Sequence, residues 1–493
     1  MVLPTKILIG AGMLNAATAA VIPSLKSSRA STIKPKYRIS PLDGSKIALP
    51  SKPQLDFQDK EIGVLIHYNI ATYIDEDGCN FVPRLVPNVD LFDPQLIDTD
   101  QWMESIKALG GKYATLVAKH NCGFNLWPSQ VTFENRDNQT VPYNYTIADS
   151  PKHGMDLVRN FVESTEKYGV GHGFYYSVVV NNFLKVAQSS VLNDSLAPGQ
   201  VAITNTTYDQ IVLDQLTELW SDYGSLTEIW FDGGYSATQK DKIQDLLARL
   251  QPEAAIFNGC DEVGTCLTQN PIRWIGTEEG HAPEETWSTG LKNDGGDPES
   301  EWFAPAECDT TLQNKDRWFF GMNATIRSFK EMVDVYHKTV GHNCVLELDL
   351  TPDRSGLVPA EYAARYKQLG DFIRSCYGQP ATDAMWTQTD QNGDYHMHFT
   401  KPTPVDRIQL MEDQTNGQVI RAYEVLGKVV DANHANGTMN VPWTTLSKGT
   451  SIGHKKIDLF KKPVTVTEIV VKATKFVDTP RWRTISVHLC DRY

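Results

Sequence analysis

The strongest constraint on the fold is an alternation, between residues 60 and 375, of short apolar runs with amphipathic segments. The runs are rich in β-branched and aromatic residues and predict strands, whereas the segments between them predict helices. The predicted strands are Gly63–His67, Lys112–Ala118, Gly171–Ser177, Thr227–Phe231, Ala254–Asn258, Ile272–Ile275 and Val345–Leu350. Repeated strand–helix order predicts the α/β class, and about eight units fit a (β/α)₈-like TIM barrel. A doubly wound open sheet is the alternative, although no G-x-G-x-x-G or Walker motif is present.

After residue 380 the helical periodicity fades, and short alternating segments are separated by turn signals such as Asn416-Gly417. This pattern is typical of an all-β sandwich. We therefore expect four parts: a signal peptide at 1–22, a Ser/Pro/Lys-rich leader segment at 23–55, a catalytic barrel at 56–378 and a C-terminal β-sandwich domain at 379–493.

The N-terminus indicates secretion. Lys6 precedes an apolar run from Ile7 to Ile22 that suits a signal peptide and is short for a membrane span. Asn-x-Ser/Thr sequons start at Asn138, Asn144, Asn193, Asn205, Asn323 and Asn436, which fits glycosylation of an extracellular protein. Among the eight cysteines, Cys260 and Cys266 are the pair we most expect to form a disulfide.

The net charge of −14 makes nucleic acid and anionic membranes poor partners, because an acidic chain repels phosphate. No second closely spaced Cys or Cys/His pair accompanies Cys260 and Cys266, so we expect no structural metal. We also expect no cofactor. Aromatic residues make up 10% of the chain, and with the acidic balance they hint at carbohydrate chemistry.

Catalytic residues of such a barrel lie at the carboxyl ends of its strands. There the first predicted strand ends in His67, the second is followed by His120 and Asn121, and the fourth leads through Trp230 to Asp232. Asp232 precedes two glycines, which permit an abrupt turn and the close approach of a ligand. Retaining glycoside hydrolysis needs one carboxylate as nucleophile and another as acid/base, and Asp232 and Glu278 fit these roles. The acid/base remains open, because Glu279, Glu284, Glu285, Glu301 and Glu307 follow nearby.

Five ordered motifs resemble the α-L-fucosidases of glycoside hydrolase family 29. They are Gly63-Val64-Leu65-Ile66-His67-Tyr68, Lys119-His120-Asn121-Cys122-Gly123-Phe124, Phe174-Tyr175-Tyr176-Ser177, Trp230-Phe231-Asp232-Gly233-Gly234 and Arg273-Trp274-Ile275-Gly276-Thr277-Glu278-Glu279-Gly280. The last is similar to the loop of the subgroup that cleaves α-1,3/1,4-linked fucose. Pro352-Asp353-Arg354 extends the resemblance towards the C-terminal sandwich.

The resemblance implies a secreted retaining enzyme acting on terminal fucose of oligosaccharides or glycoconjugates. Asp232 would be the nucleophile and Glu278 the acid/base. The fucose pocket would be formed by His67, His120, Asn121, Tyr176, Trp230 and Asp77, the last in place of a family Glu. Two departures stand out, because Asn121 and Cys122 replace the family's second His and its following Asp.

An alternative function follows from those departures: a fucose-binding protein on an inactive fucosidase scaffold. The sequence also leaves open whether the sandwich is a carbohydrate-binding module or is merely packed on the barrel.

Overall fold

The computed structural model describes residues 32–79, 86–314, 317–381, 385–390, 393–430 and 441–490. The predicted signal peptide and the sequon at Asn436 lie outside these residues. No helix in the described part of the chain is long and apolar enough to cross a bilayer.

The first part of the chain forms a closed barrel of eight parallel strands. They are β1 (Ile62–Ile66), β2 (Tyr113–Lys119), β3 (Gly171–Tyr176), β4 (Glu228–Trp230), β5 (Ala255–Phe257), β6 (Pro271–Trp274), β7 (Ala306–Thr310) and β8 (Cys344–Leu350). Each strand pairs with its neighbour in the chain, and β8 pairs with β1 to close the ring. The predicted TIM-like barrel is confirmed, and the open-sheet alternative is excluded.

Strand β7 was not predicted. Its sequence, Ala-Glu-Cys-Asp-Thr, places two acidic residues in a five-residue strand. In the structure all five residues are buried. Carboxyl side chains point into the barrel, so the hydrophobic pattern that marks other strands is missing.

The helices are α1 (Lys52–Gln58), α2 (Ala71–Ile74), α3 (Thr99–Leu109), α4 (Leu157–Tyr168), α5 (Asn205–Ser221), α6 (Ala237–Leu250), α7 (Phe329–Lys338) and α8 (Ala360–Tyr377). Their ends carry the expected caps. Ser236 and Ser328 form capping boxes with Gln239 and Glu331, and Gly110 ends α3 in the left-handed conformation.

Two apolar layers surround the barrel sheet. The inner layer contains Tyr175, Trp230 and Phe257, whereas the layer between strands and helices contains Tyr176 and Phe231. Neighbouring residues of one strand therefore face opposite layers. This alternation determines whether Tyr175 or Tyr176 reaches the site.

The C-terminal domain is the predicted antiparallel β-sandwich. Its strands are β9 (Met385–Thr389), β10 (Tyr395–Glu412), β11 (Ile420–Val429), β12 (Trp443–Gly449), β13 (Lys456–Phe476) and β14 (Trp482–His488). The main sheet has the order β9-β10-β13-β11-β12, and β14 pairs with β10. The pairing of the long strands β10 and β13 is interrupted by register shifts that mark bulges.

The predicted leader segment is partly folded. Strands Tyr37–Ile39 and Lys46–Ala48 form a small hairpin, and α1 begins at Lys52. Ile47 packs in the sandwich core, and Gln54 donates hydrogen bonds to carbonyl groups beside the barrel. The folded body thus begins before residue 56, because isolated apolar residues such as Ile47 give too weak a pattern to be recognised in sequence.

All eight cysteines are paired. The predicted bond Cys260–Cys266 is present, and three further bonds join Cys79 to Cys122, Cys308 to Cys344 and Cys376 to Cys490. Cys376 lies on α8 and Cys490 follows β14, so the last bond ties the sandwich to the barrel.

Candidate active site

Strand β4 carries Trp230 and Asp232 to the mouth of the barrel. Gly233 and Gly234, with φ of 67° and 82°, turn the chain immediately after the carboxylate. A Cβ atom at Gly233 would lie 2.8 Å from Val179, so this turn needs glycine for both its conformation and its space. Asp232 lines a cavity of ≈ 650 Å³ and accepts a hydrogen bond of 2.7 Å from the hydroxyl of Tyr175.

Glu278 lines the same cavity from the loop after β6. Its carbonyl oxygen accepts a 2.7 Å hydrogen bond from Thr310 on β7, and its Oε2 accepts one of 3.2 Å from Nε1 of Trp318. These contacts fix both the backbone and the carboxylate.

The other glutamates do not take the place of Glu278. Glu279 is exposed, Glu301 pairs with Lys46, and Glu307 is fully buried inside the barrel. Glu284 and Glu285 are exposed and do not line the cavity. Of these candidates, Glu278 alone lines the cavity that contains Asp232.

A third carboxyl group, Asp309 on β7, lines the cavity and was missed by the sequence reasoning. Its Oδ1 accepts a 2.7 Å hydrogen bond from Nε1 of Trp274. Burial, followed by the nearby negative charge of Glu278, raises the pKa of Asp309 to about 7. A group with this pKa is neutral in weakly acidic solution and gains a negative charge as the pH rises past 7.

The two predicted histidines do not line the cavity, but both rings contact Tyr175, which bonds Asp232. Nδ1 of His67 is 2.8 Å from Asp349 on β8, and the ring of His120 stacks on Tyr175 with centroids 5.5 Å apart. Burial lowers the pKa of His120 to about 4 and holds the pKa of His67 well below its usual value. Both rings are therefore neutral at physiological pH and suit hydrogen bonding to hydroxyl groups rather than charge pairing.

Asp77 does not line the cavity but holds a segment that contacts Glu278, which does. Its Oδ1 accepts hydrogen bonds from the backbone N–H groups of Trp318 and Phe319, at 3.1 and 2.9 Å. The rings of Trp318 and Phe319 both lie 5.1 Å from the ring of His67. Asp77 thus positions the aromatic segment that contacts His67 and Glu278.

Asn121 and Cys122, which depart from the family pattern, form a clamp. Cys122 is bonded to Cys79, and Oδ1 of Asn121 accepts a 2.8 Å hydrogen bond from the backbone N–H of Cys79. Asn121 and Cys122 therefore attach the segment after β2 to the loop after α2, and this clamp lies directly next to His120.

Tyr176 does not reach the site. Its hydroxyl donates a 2.6 Å hydrogen bond to Gln215 on α5, in the layer between barrel and helices. The pleat of β3 turns the preceding residue inward, so Tyr175 bonds Asp232 and stacks on Trp230 at 5.1 Å. Strict alternation along β3 is the signal that could have identified Tyr175, but the sequence analysis assigned Tyr176 to the pocket because two adjacent tyrosines concealed the parity.

Deeper in the barrel, Glu228, Glu307 and Glu347 are fully buried, and their carboxylates approach within 4.8 Å of one another. Glu307 accepts a 2.8 Å hydrogen bond from Nε1 of Trp230 and so supports the cavity floor. Three carboxylates could hold a cation, but burial raises the pKa of each well above its usual value. These shifts favour the protonated, uncharged form of the three buried carboxyl groups.

The barrel and the two carboxylates that line its cavity have the arrangement typical of a glycoside hydrolase. A model of the family described as "Alpha-L-fucosidase" matches residues 45–378. The chain therefore belongs to the α-L-fucosidase family.

Similarity to relatives and to solved structures extends over most of the chain. Alpha-L-fucosidase 1 of Arabidopsis thaliana is 24% identical over 453 residues, covering 83% of this chain and 81% of that protein. A glycoside hydrolase 29 family member from an unknown rumen bacterium has the same fold, with a TM-score of 0.74 and 24% identity over 90% of this chain and 78% of the other. A fucosidase of Ruminococcus gnavus solved with fucose also shares the fold, with a TM-score of 0.72, 19% identity and coverage of 94% and 98%.

Proposed function

We propose that this α-L-fucosidase is a secreted, retaining enzyme that removes terminal α-1,3/1,4-linked fucose from oligosaccharides or glycoconjugates. The observation that carries the proposal is that Asp232 and Glu278 line one cavity, each held by a hydrogen bond from an aromatic side chain. Two fixed carboxylates at one pocket are what double displacement requires.

In the first step, a carboxylate oxygen of Asp232 attacks C1 of fucose while Glu278 donates its proton to the glycosidic oxygen. The C1–O bond to the leaving sugar breaks as the C1–O bond to Asp232 forms, which gives a covalent fucosyl-enzyme. The hydrogen bond from Tyr175 orients Asp232 for attack.

In the second step, Glu278 removes a proton from water, and the water oxygen attacks C1 and releases Asp232. Two inversions at C1 give net retention. The neutral rings of His67 and His120 and the indole of Trp230 suit the hydroxyl groups and the apolar face of fucose.

The presence of both carboxylates in one cavity favours turnover over a purely binding role. Asn121 and Cys122 belong to the clamp that fixes the segment carrying His120. These departures from the family pattern therefore leave both catalytic carboxylates in place. The proposed α-1,3/1,4 preference is based on the similarity of the loop around Glu278 to the loop of that subgroup.

Secretion is supported by the apolar N-terminal run, by the pairing of all eight cysteines and by the exposure of five sequon asparagines. These are Asn138, Asn144, Asn193, Asn205 and Asn323. Mass spectrometry of the protein from a eukaryotic culture medium, before and after enzymatic deglycosylation, tests this point; an intracellular chain that retains residues 1–22 would contradict it.

Azide rescue tests the two roles and the stereochemistry together. In Asp232→Ala, turnover of an aryl α-L-fucoside should vanish, and azide should yield the inverted β-fucosyl azide. In Glu278→Ala, substrates with good leaving groups should still react, and azide should yield the α-fucosyl azide. Glu279→Ala is the matched control and should behave as the unmodified enzyme. Interchanged products, or a Glu278→Ala variant with full activity on natural glycans, would overturn the assignment.

Linkage and mechanism have separate readouts. The unmodified enzyme should cleave an α-1,3/1,4-fucosylated oligosaccharide faster than an α-1,2-fucosylated one. Proton NMR should show the α anomer of fucose as the first product. Preference for the α-1,2 substrate would contradict only the linkage, whereas a first-formed β anomer would contradict the retaining mechanism.

A further inference from the structure

One face of the sandwich carries a continuous row of five side chains, one from each strand of the main sheet. We name it the Trp–Trp row, and it consists of Trp386, His398, Glu468, Lys428 and Trp443. Each is the register partner of the next: Trp386 of His398, His398 of Glu468, Glu468 of Lys428, and Lys428 of Trp443. Partners that lie directly opposite one another in a sheet share a face, so all five side chains project to the same side.

Side-chain contacts confirm that the row is continuous. The rings of Trp386 and His398 lie 4.8 Å apart, and Nδ1 of His398 is 3.7 Å from Oε2 of Glu468. Lys428 donates a 2.7 Å hydrogen bond to Glu468, and its Nζ lies 5.0 Å from the ring centroid of Trp443. The row therefore places aromatic rings at both ends and paired polar groups in the middle.

The two ends are exposed to solvent. Trp386 is 55% exposed and Trp443 is 42% exposed, and they are the two exposed tryptophans of the chain, whose eleven tryptophans all lie in described residues. Pairing across strands accounts for the contacts along the row, but it does not account for leaving both indoles in water. Four strand spacings separate them, or ~19 Å, which suits an extended ligand.

The charges of the row select the chemistry of that ligand. The single cation and the single anion neutralise each other, so the row does not attract a phosphate-rich or strongly acidic partner. The central groups still offer hydrogen-bond donors and acceptors. Flat aromatic surfaces beside such groups fit the apolar faces and hydroxyl groups of sugar rings.

We propose that the Trp–Trp row binds an extended, uncharged oligosaccharide chain and acts as a second glycan site distinct from the catalytic cavity. None of its five residues lines that cavity. The site would hold the enzyme on a glycan surface while the barrel acts on fucose nearby, but binding at the row does not depend on the mechanism proposed above.

Native gel electrophoresis through immobilised polysaccharide tests the proposal on the full-length protein. A mixed-linkage β-glucan and a galactomannan serve as uncharged probes, and polygalacturonate serves as the anionic probe. We expect the unmodified protein to be retarded by at least one uncharged probe, with little effect of salt. The double variant Trp386→Ala/Trp443→Ala should bind at least about tenfold more weakly.

Two controls separate binding from folding. Phe476→Ala removes another exposed aromatic ring from β13, eight residues from Glu468 and thus ~26 Å along the strand, and should bind as the unmodified protein does. The double variant should hydrolyse an aryl fucoside at the unmodified rate, which shows that it is folded. A Trp386→Phe/Trp443→Phe variant should retain part of the binding, because a ring remains at each end.

Three results would overturn the proposal. They are no retardation of the unmodified protein by either uncharged probe, equal retardation of the alanine double variant, or retardation by polygalacturonate alone that disappears in salt. None of these results bears on Asp232 or Glu278, so the catalytic proposal is tested independently of this one.

Discussion

The phenolic oxygen of Tyr175 lies 2.7 Å from Oδ2 of Asp232, and its hydroxyl donates a hydrogen bond to that carboxylate. The same ring stacks on His120 and on Trp230. Tyr175 thus connects the proposed nucleophile to the histidine side of the site, and this connection gives the first prediction.

Tyr175→Phe should lower kcat/KM for an aryl fucoside by roughly 10–100-fold, because a hydrogen bond to a charged group is lost and Asp232 is less well oriented. Tyr176→Phe is the matched control. It should leave kcat/KM nearly unchanged and lower the free energy of unfolding by about 1 kcal/mol through the lost bond to Gln215. Steady-state kinetics and urea unfolding of both variants measure these effects, and a larger kinetic loss in Tyr176→Phe would refute the orientation of β3.

Asp309 should set a pH dependence of stability. Its carboxyl group has a pKa of about 7 in the folded protein, above the ordinary value near 3.8. Between these values the folded state binds more protons than the unfolded state, so the free energy of unfolding falls as the pH rises towards 7. Asp309→Asn removes this contribution, and we expect the variant to be more stable than the unmodified enzyme at pH 8 and similar to it at pH 4.

Kinetics provide a second measure of Asp309. In the unmodified enzyme, ionisation above pH 7 adds a negative charge beside Glu278 and Asp232. The pH dependence of kcat/KM should therefore change slope near pH 7, and Asp309→Asn should weaken this feature while keeping activity at pH 6. An identical alkaline limb in the two enzymes would show that another group titrates there.

The bond between Cys79 and Cys122 should matter for both stability and catalysis. Cys79→Ser/Cys122→Ser opens a link across 43 residues and should cost about 2–4 kcal/mol of unfolding free energy. It should also raise KM, because the clamp beside His120 is lost. The bond Cys308–Cys344 spans a similar 36 residues, so its double serine variant is the matched control, with a similar loss of stability. Equal changes in KM for both variants would contradict a local role of the clamp.

Asp77 should act through the segment that it holds. Asp77→Ala removes the acceptor for the N–H groups of Trp318 and Phe319, and we expect a higher KM together with faster proteolytic cleavage near this segment. Asp77→Asn keeps one carbonyl acceptor and should fall between the alanine variant and the unmodified enzyme. If Asp77→Ala raises KM with no change in proteolysis, Asp77 contacts the sugar directly.

Much of the architecture could be predicted from sequence, because it depends on local periodicity. Seven of the eight barrel strands are apolar runs, and the sandwich strands alternate clearly. Strand β7 escaped prediction because Glu307 and Asp309 face the inside of the barrel, where protonation and hydrogen bonds stabilise them. A strand of this kind has no hydrophobic pattern by which it could be predicted from the sequence.

The sequence by itself determined the class of fold, the family resemblance and the positions of Asp232 and Glu278, since these depend on short contiguous motifs. Only the tertiary structure decided that Tyr175 rather than Tyr176 reaches Asp232, that Asp309 joins the cavity, that Cys122 pairs with Cys79 and that five strands align the Trp–Trp row. The reason is physical: strand parity, burial and register bring together residues that are far apart in the chain, and those contacts set which atoms meet and which protons they hold.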